Sequence, residues 1–264
     1  MSNTHPSLQN LSPYRNPPKT PVFEAFKVDF NQHVRFMYIV KKLRILSKCV
    51  GNSSSSFTVL DVGAGPGTLN SYLLRESLIN AVVNVEVSSK IKIENLIVAD
   101  GSRLPFMENS FDFLVSSDVL EHVEFSRRAD FIRELLRCCK FGFVITFSKL
   151  HQKHISQGGI KIFEKVWGNR FPLWYLEHNE NMIVDDADLL KILKENGAQN
   201  AELKPLTGVL TLFFTGLECR LSNRLLRFLS NVAGYLITRI IDPLPYYGFG
   251  VLALKHTMRK EACF

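Results

Sequence analysis

The sequence predicts a doubly wound α/β domain, a mostly parallel sheet with helices over both faces. Three observations lead there. Residues 59–67 read VLDVGAGPG, an apolar run with an acid at Asp61 and glycines at Gly63, Gly65 and Gly67, the form of a strand ending in a tight turn. Strand-like and helix-like runs then alternate from residue 57 to residue 147, which implies parallel strands joined by crossover helices. Acids also stand at the tips of two of those strands, Glu86 and Asp100, where open sheets of this kind bind ligands.

The elements follow in order. Residues 1–21 are polar, carry Pro6, Pro13, Pro17, Pro18 and Pro21, and read as a disordered tail without a secretory signal. The domain is expected over 22–264. Residues 28–48 predict a helix with Val34, Met37, Tyr38, Lys41 and Ile45 near one face, followed by a flexible link at Gly51 and Ser53 to Ser56. Strands are expected at 57–62, 81–87, 95–100, 111–117 and 141–147, with helices at 68–78 and 126–140. Beyond 148 the rhythm breaks, and 149–182 reads as an inserted lid. A helix returns at 186–196, with Asp185 as N-cap and Gly197 as its stop. Residues 200–206 and 248–255 read as closing strands, separated by a strongly apolar helical insertion at 209–241.

Composition sets the limits. Of 264 residues, 46% are hydrophobic and 22% charged, enough apolar material for a core. The formal charge of +7 suits an anionic acceptor, an acidic membrane surface or nucleic acid without choosing among them. Five cysteines without a C-x-x-C indicate neither a zinc site nor a disulfide framework, which favours a reduced cytoplasmic setting. No run reaches the ~18 apolar residues of a membrane span. In 209–241, Leu217, Leu221, Leu225, Phe228 and Val232 form one stripe, with Arg220, Arg224 and Arg227 on another face. That pattern fits a helix lying on anionic lipid, peripheral to the membrane, and equally a helix that roofs the sheet.

The glycine spacing narrows the ligand. A dinucleotide fingerprint needs its third glycine at position 68, which is Thr68, and Asp61 would repel a pyrophosphate. An acid there suits a ligand with ammonium and sulfonium centres. The segment resembles motif I of the class I S-adenosylmethionine-dependent methyltransferases. The stretch VADGSRLPFMENSFDFLVSSDVLEHV (98–123) is most similar to the ubiquinone/menaquinone-biosynthesis type of that domain. The resemblance covers roughly residues 57–148. It implies a seven-stranded Rossmann-like sheet whose last strand runs antiparallel, and S-adenosylmethionine as cofactor.

On that resemblance Asp61, Gly63, Ala64, Gly65 and Gly67 form the cofactor turn. Glu86, 23 positions after Gly63, accepts from the ribose hydroxyls, though an exposed strand-end charge is the plainer alternative. Asp100 accepts from the adenine amino group while the backbone of Gly101 and Ser102 addresses the ring, and an Asx turn at Asp-Gly is compatible with that role. Ser117 ends the fourth strand beneath the methyl donor, where Ser116, Ser117 and Asp118 are also plausible helix caps.

For catalysis the candidates are His122, at the reacting end, and His178, in the segment WYLEH with Trp174 and Glu177. Their structural alternatives are a histidine bracing a helix and a lid helix packed by its tryptophan. His151 and His154 lack the carboxylate that would complete a metal site, so no metal is expected. The acceptor is expected to be an oxygen or carbon of a small molecule, lipid-linked or glycan intermediate. Nucleic acid is disfavoured, because neither the Pro-Pro-aromatic motif of base-amine enzymes nor a Pro-Cys nucleophile is present. A non-catalytic binding protein of the same fold is the other alternative.

Overall fold

The computed structural model describes residues 28–50 except 29, 56–149, 184–208 and 246–255, together with scattered helical positions between 211 and 237. Seven strands form one sheet: β1 (Phe57–Val62), β2 (Ile79–Glu86), β3 (Leu96–Val98), β4 (Phe111–Ser117), β5 (Cys139–Ser148), β6 (Asn200–Gly208) and β7 (Tyr246–Leu254). Their order is β3-β2-β1-β4-β5-β7-β6. Strands β1 to β5 pair in parallel, and β7 enters antiparallel between β5 and β6, as the resemblance implies. The chain starts at β1, winds out to β3 and returns to β4. The point of reversal therefore lies between β1 and β4, and a crevice opens beyond their carboxyl ends.

Alternation along the strands supplies two cores. Leu60, Val62 and Leu114 face one side and pack with Phe131, Ile132, Leu135 and Leu136 of helix α3 (Arg128–Cys138) and Leu189 and Leu193 of α4 (Asp186–Glu195). Val59, Phe113 and Val115 face the other and pack under Ile39, Leu43 and Leu46 of α1 (Phe30–Cys49). The period of two puts Asp61 on the α1 side with Val59. Asp185 caps α4 through Ala187 N and Asp188 N at 2.8 and 3.1 Å, worth about 1 kcal/mol. Gly197 stops it with φ +93°.

Several elements differ from the sequence reading. Helix α1 is rotated: Phe36, Ile39, Val40, Leu43 and Leu46 are buried, whereas Met37 and Lys41 are exposed. Periodicity misses this because two charged residues lie on the buried face, Arg35 paired with Asp118 and Lys42 with Glu202. The expected helix at 68–78 shrinks to α2 (Asn70–Leu73), whose N-cap position holds Leu69, which makes no capping hydrogen bond. A 3₁₀ turn at Phe125–Arg127 leads into α3. Cys138 and Cys139 are buried free thiols, but Cys49 is disulfide-bonded, a pairing that the cysteine spacing does not announce.

Residues 1–21 and, of the expected lid, 150–182, with His151, His154, Trp174 and His178, lie outside the described residues. Within 209–241 the described positions are helical. Among the described residues no helix is long and apolar enough to cross a membrane, and no group of three His, Cys, Asp or Glu side chains could hold a metal.

Candidate active site

A cavity of about 450 Å³ opens at the carboxyl ends of β1, β2 and β4, with α1 over it. Its floor is the turn after β1. Gly63 N and Ala64 N both donate to Val85 O, at 2.8 and 3.0 Å, which ties the turn to the end of β2. Gly63 has φ +77°, and a Cβ there would lie 2.2 Å from a Val119 methyl. Gly65 has φ +51° and nothing within 4 Å of where its Cβ would be, so its bare backbone faces open space.

Two carboxylates flank that backbone. Glu86 caps the loop, its Oε2 accepting from Gly65 N at 3.0 Å and its Oε1 from Val87 N at 2.8 Å. Asp61 is 1% exposed, and its Oδ2 has no hydrogen-bond partner in the protein. Burial, and then the charge of Glu86, push the Asp61 carboxyl up to about 7. A buried acid with an unused oxygen, beside an open glycine backbone, matches a cationic ligand that takes up the free lone pairs. The donor set therefore fits S-adenosylmethionine, whose ammonium and sulfonium carry the needed charge.

The opposite wall comes from β4 and the residues after it. Ser116 Oγ donates to Val62 O at 2.7 Å, and Ser117 Oγ lies 2.9 Å from Thr146 Oγ1. Asp118 adopts φ +59°, rare for a side-chain-bearing residue, with its N–H bonded to Thr146 O at 2.9 Å and its carboxylate paired with buried Arg35 of α1. Glu121 is also buried. It accepts from Ser148 N at 2.8 Å, and burial raises its carboxyl against the pull of Arg35. His122 follows on the same turn and lines the cavity.

The cavity thus brings together Asp61, Gly63, Ala64, Gly65, Glu86, Ser117 and His122. Gly67 lies in the same turn without lining it. Asp100, Gly101 and Ser102, which follow the end of β3, do not line it. Asp100 Oδ1 accepts from Ser102 N at 2.8 Å, the expected Asx turn, and Oδ2 accepts from Arg127 at 2.6 Å. These bonds, Ser102 first, hold the Asp100 carboxyl below its usual range. Gly101 is a packing position, since a Cβ would come 2.7 Å from the Phe131 ring. Gln32 and Phe36 of α1 and Asp118 also line the cavity. The periodicity of α1 gives no sign of the first two, whereas Asp118 directly follows Ser117 at the end of β4.

Comparison with known proteins agrees with this geometry. Residues 60–146 match a family model described as a methyltransferase domain. The matched segment is the one that builds the cavity floor and the β4 wall. An uncharacterized protein of Methanocaldococcus jannaschii is 28% identical over 116 residues, which cover 41% of this chain and 51% of that one. The chain thus spans about half the length of the curated relative it matches. Among solved structures, a Galdieria sulphuraria protein provisionally assigned as a sarcosine dimethylglycine methyltransferase aligns with TM-score 0.51 at 14% identity, over 83% of this chain and 84% of that one. This likeness establishes the Rossmann-like fold. A phosphoethanolamine N-methyltransferase of Haemonchus contortus aligns with TM-score 0.49 at 17% identity, over 81% of this chain and 52% of its own.

Proposed function

We propose that the protein is an S-adenosylmethionine-dependent methyltransferase acting on an oxygen or carbon of a small-molecule, lipid-linked or glycan acceptor. The observation that carries this reading is the meeting of Asp61 and Glu86 across bare Gly65 in one cavity. Bound S-adenosylmethionine supplies an electrophilic methyl on a sulfonium. The protein's task is then alignment, exclusion of water and management of charge. Asp61 faces the cationic end of the donor and Glu86 the ribose hydroxyls. Asp100, with the backbone of Gly101 and Ser102, addresses adenine from the neighbouring strand end. Ser117 lies below the reacting carbon, and Asp118, held by Arg35, shapes the acceptor side.

His122 is placed to receive the acceptor's proton, and His178 is the second candidate. The pattern of 98–123 favours the ubiquinone/menaquinone-biosynthesis subtype. The disulfide at Cys49 removes the cysteine-based argument for a reduced cytoplasmic setting, and a location peripheral to a membrane completes the proposal.

Methyl transfer from labelled S-adenosylmethionine into small-molecule, lipid, soluble glycan and RNA fractions tests the reading. Label is expected in the small-molecule, lipid or glycan fraction, and His122→Gln should lower kcat by about a hundredfold with donor affinity unchanged. Label confined to RNA, or donor binding without transfer to any fraction, would overturn it.

A further inference from the structure

Between residues 226 and 237, among the described positions of the stretch between β6 and β7, small residues face the protein and large aliphatic ones face solvent. Ser230 and Gly234 are turned inward, and a Cβ on Gly234 would come 2.9 Å from the Phe214 ring. Leu226, Leu229, Val232, Leu236 and Ile237 stand 49, 52, 41, 57 and 42% exposed. At helical spacing these five aliphatic residues fall within an arc of about 140°. A helix serving only as a roof for the sheet would bury them and expose its serine and glycine. Among the described positions the small residues meet the protein and the large aliphatic ones meet solvent.

Charge and composition indicate what covers that face. The segment 209–241 carries Arg220, Arg224, Arg227 and Arg239 against the single acid Glu218, in a chain of net charge +7. A second copy of the chain would set two such basic segments against each other. The five exposed side chains are all aliphatic, whereas a typical protein partner is met through aromatic residues and methionine. Aliphatic side chains in a segment of basic composition suit the boundary between anionic headgroups and acyl chains.

The stretch is also tied to the cavity. It leaves the sheet after Gly208 and re-enters at Tyr246, which pair with each other, and Gly248 pairs with Ser148 at the carboxyl end of β5. Phe214 contacts Phe30, the first residue of α1, with ring centroids 6.5 Å apart. Gln32, two residues further on, lines the cavity.

We infer that this aliphatic row docks the protein on membranes rich in anionic headgroups, and so presents the cavity to an acceptor carried by lipid. The inference deepens the lipid-linked reading above and rests on it for the acceptor, while docking itself requires no methyl transfer. Flotation of the full chain with phosphatidylcholine vesicles, with and without phosphatidylglycerol, tests it. The protein should float with the anionic vesicles at low salt and be released at high salt. The double variant Leu229→Ser/Leu236→Ser should bind those vesicles at least about tenfold more weakly, while its calorimetric affinity for S-adenosylmethionine stays that of the wild type.

Absence of flotation, equal flotation with neutral vesicles, or a variant that floats like the wild type would each overturn the proposal. So would a dimer, seen by light scattering, that the variant dissociates, because a second copy would then cover the row. Flotation by a wild-type protein that does not bind S-adenosylmethionine would leave docking standing and remove only the methyltransferase reading.

Discussion

Asp61→Asn is expected to make the free protein more stable and to weaken its hold on S-adenosylmethionine. Asp61 is buried, one of its oxygens has no partner, and its carboxyl is pushed up to about 7. An unfolded aspartate titrates near 3.8, so between these values the folded chain keeps a proton that the unfolded chain has lost. Stability from this group is therefore complete below about pH 3.8 and declines as pH rises through about 7. By linkage the loss above pH 7 is on the order of 4 kcal/mol. Asparagine removes that penalty, although its own unpaired amide returns part of it, leaving a net gain of about 2 kcal/mol at pH 8.

Denaturant unfolding of wild type and variant across pH 4 to 8 measures the difference, which should grow toward alkaline pH. Over the same range wild-type donor affinity should fall as pH drops below about 7, with a limit near tenfold per pH unit, because binding requires the ionised acid. The variant should bind the donor roughly thirtyfold more weakly at pH 8 and lose this pH dependence.

Arg35→Met is expected to produce the largest loss of stability. Arg35 is 4% exposed and reaches from α1 to Asp118, and its charge opposes the burial of Glu121. Methionine fills much of the volume but leaves two acids at the cavity wall without their cation. Taking the cation away from buried Glu121 and half-buried Asp118 costs about 3 kcal/mol. Burial raises the Glu121 carboxyl and Arg35 opposes that rise, so the deficit should shrink as pH falls and Glu121 takes up a proton. Urea unfolding at pH 8 and at pH 5 checks both the size and the trend. Addition of Asp118→Asn should recover part of the loss, which would assign it to stranded charge rather than to packing.

Much of this fold is legible in the sequence where a single force dominates. Strands β1 and β4 fall where their apolar runs place them, and Asp185 and Gly197 bound α4 through ordinary cap chemistry. The cavity floor is legible too, because three glycines and an acid at the end of a strand have few other uses. Reading fails where tertiary pairing overrides pattern. Arg35 and Lys42 are buried only because Asp118 and Glu202 come from distant parts of the chain, so the inner face of α1 resembles a polar one. The same blindness hides Gln32 and Phe36 from the site. The stretch before β7 shows the converse: its apolar periodicity is plain, but periodicity alone does not say whether protein or solvent meets that face, and Ser230 and Gly234 are inward among the described positions from 226 to 237.

The central claim is that Asp61 and Glu86 form a site for a cationic sulfonium nucleoside, and calorimetric titration tests it most directly. S-adenosylmethionine and S-adenosylhomocysteine should both bind the wild-type protein at pH 8, the charged donor more tightly, and Glu86→Ala should weaken both by at least about tenfold. No heat from either ligand with the wild type, or unchanged affinity in Glu86→Ala, would contradict the account.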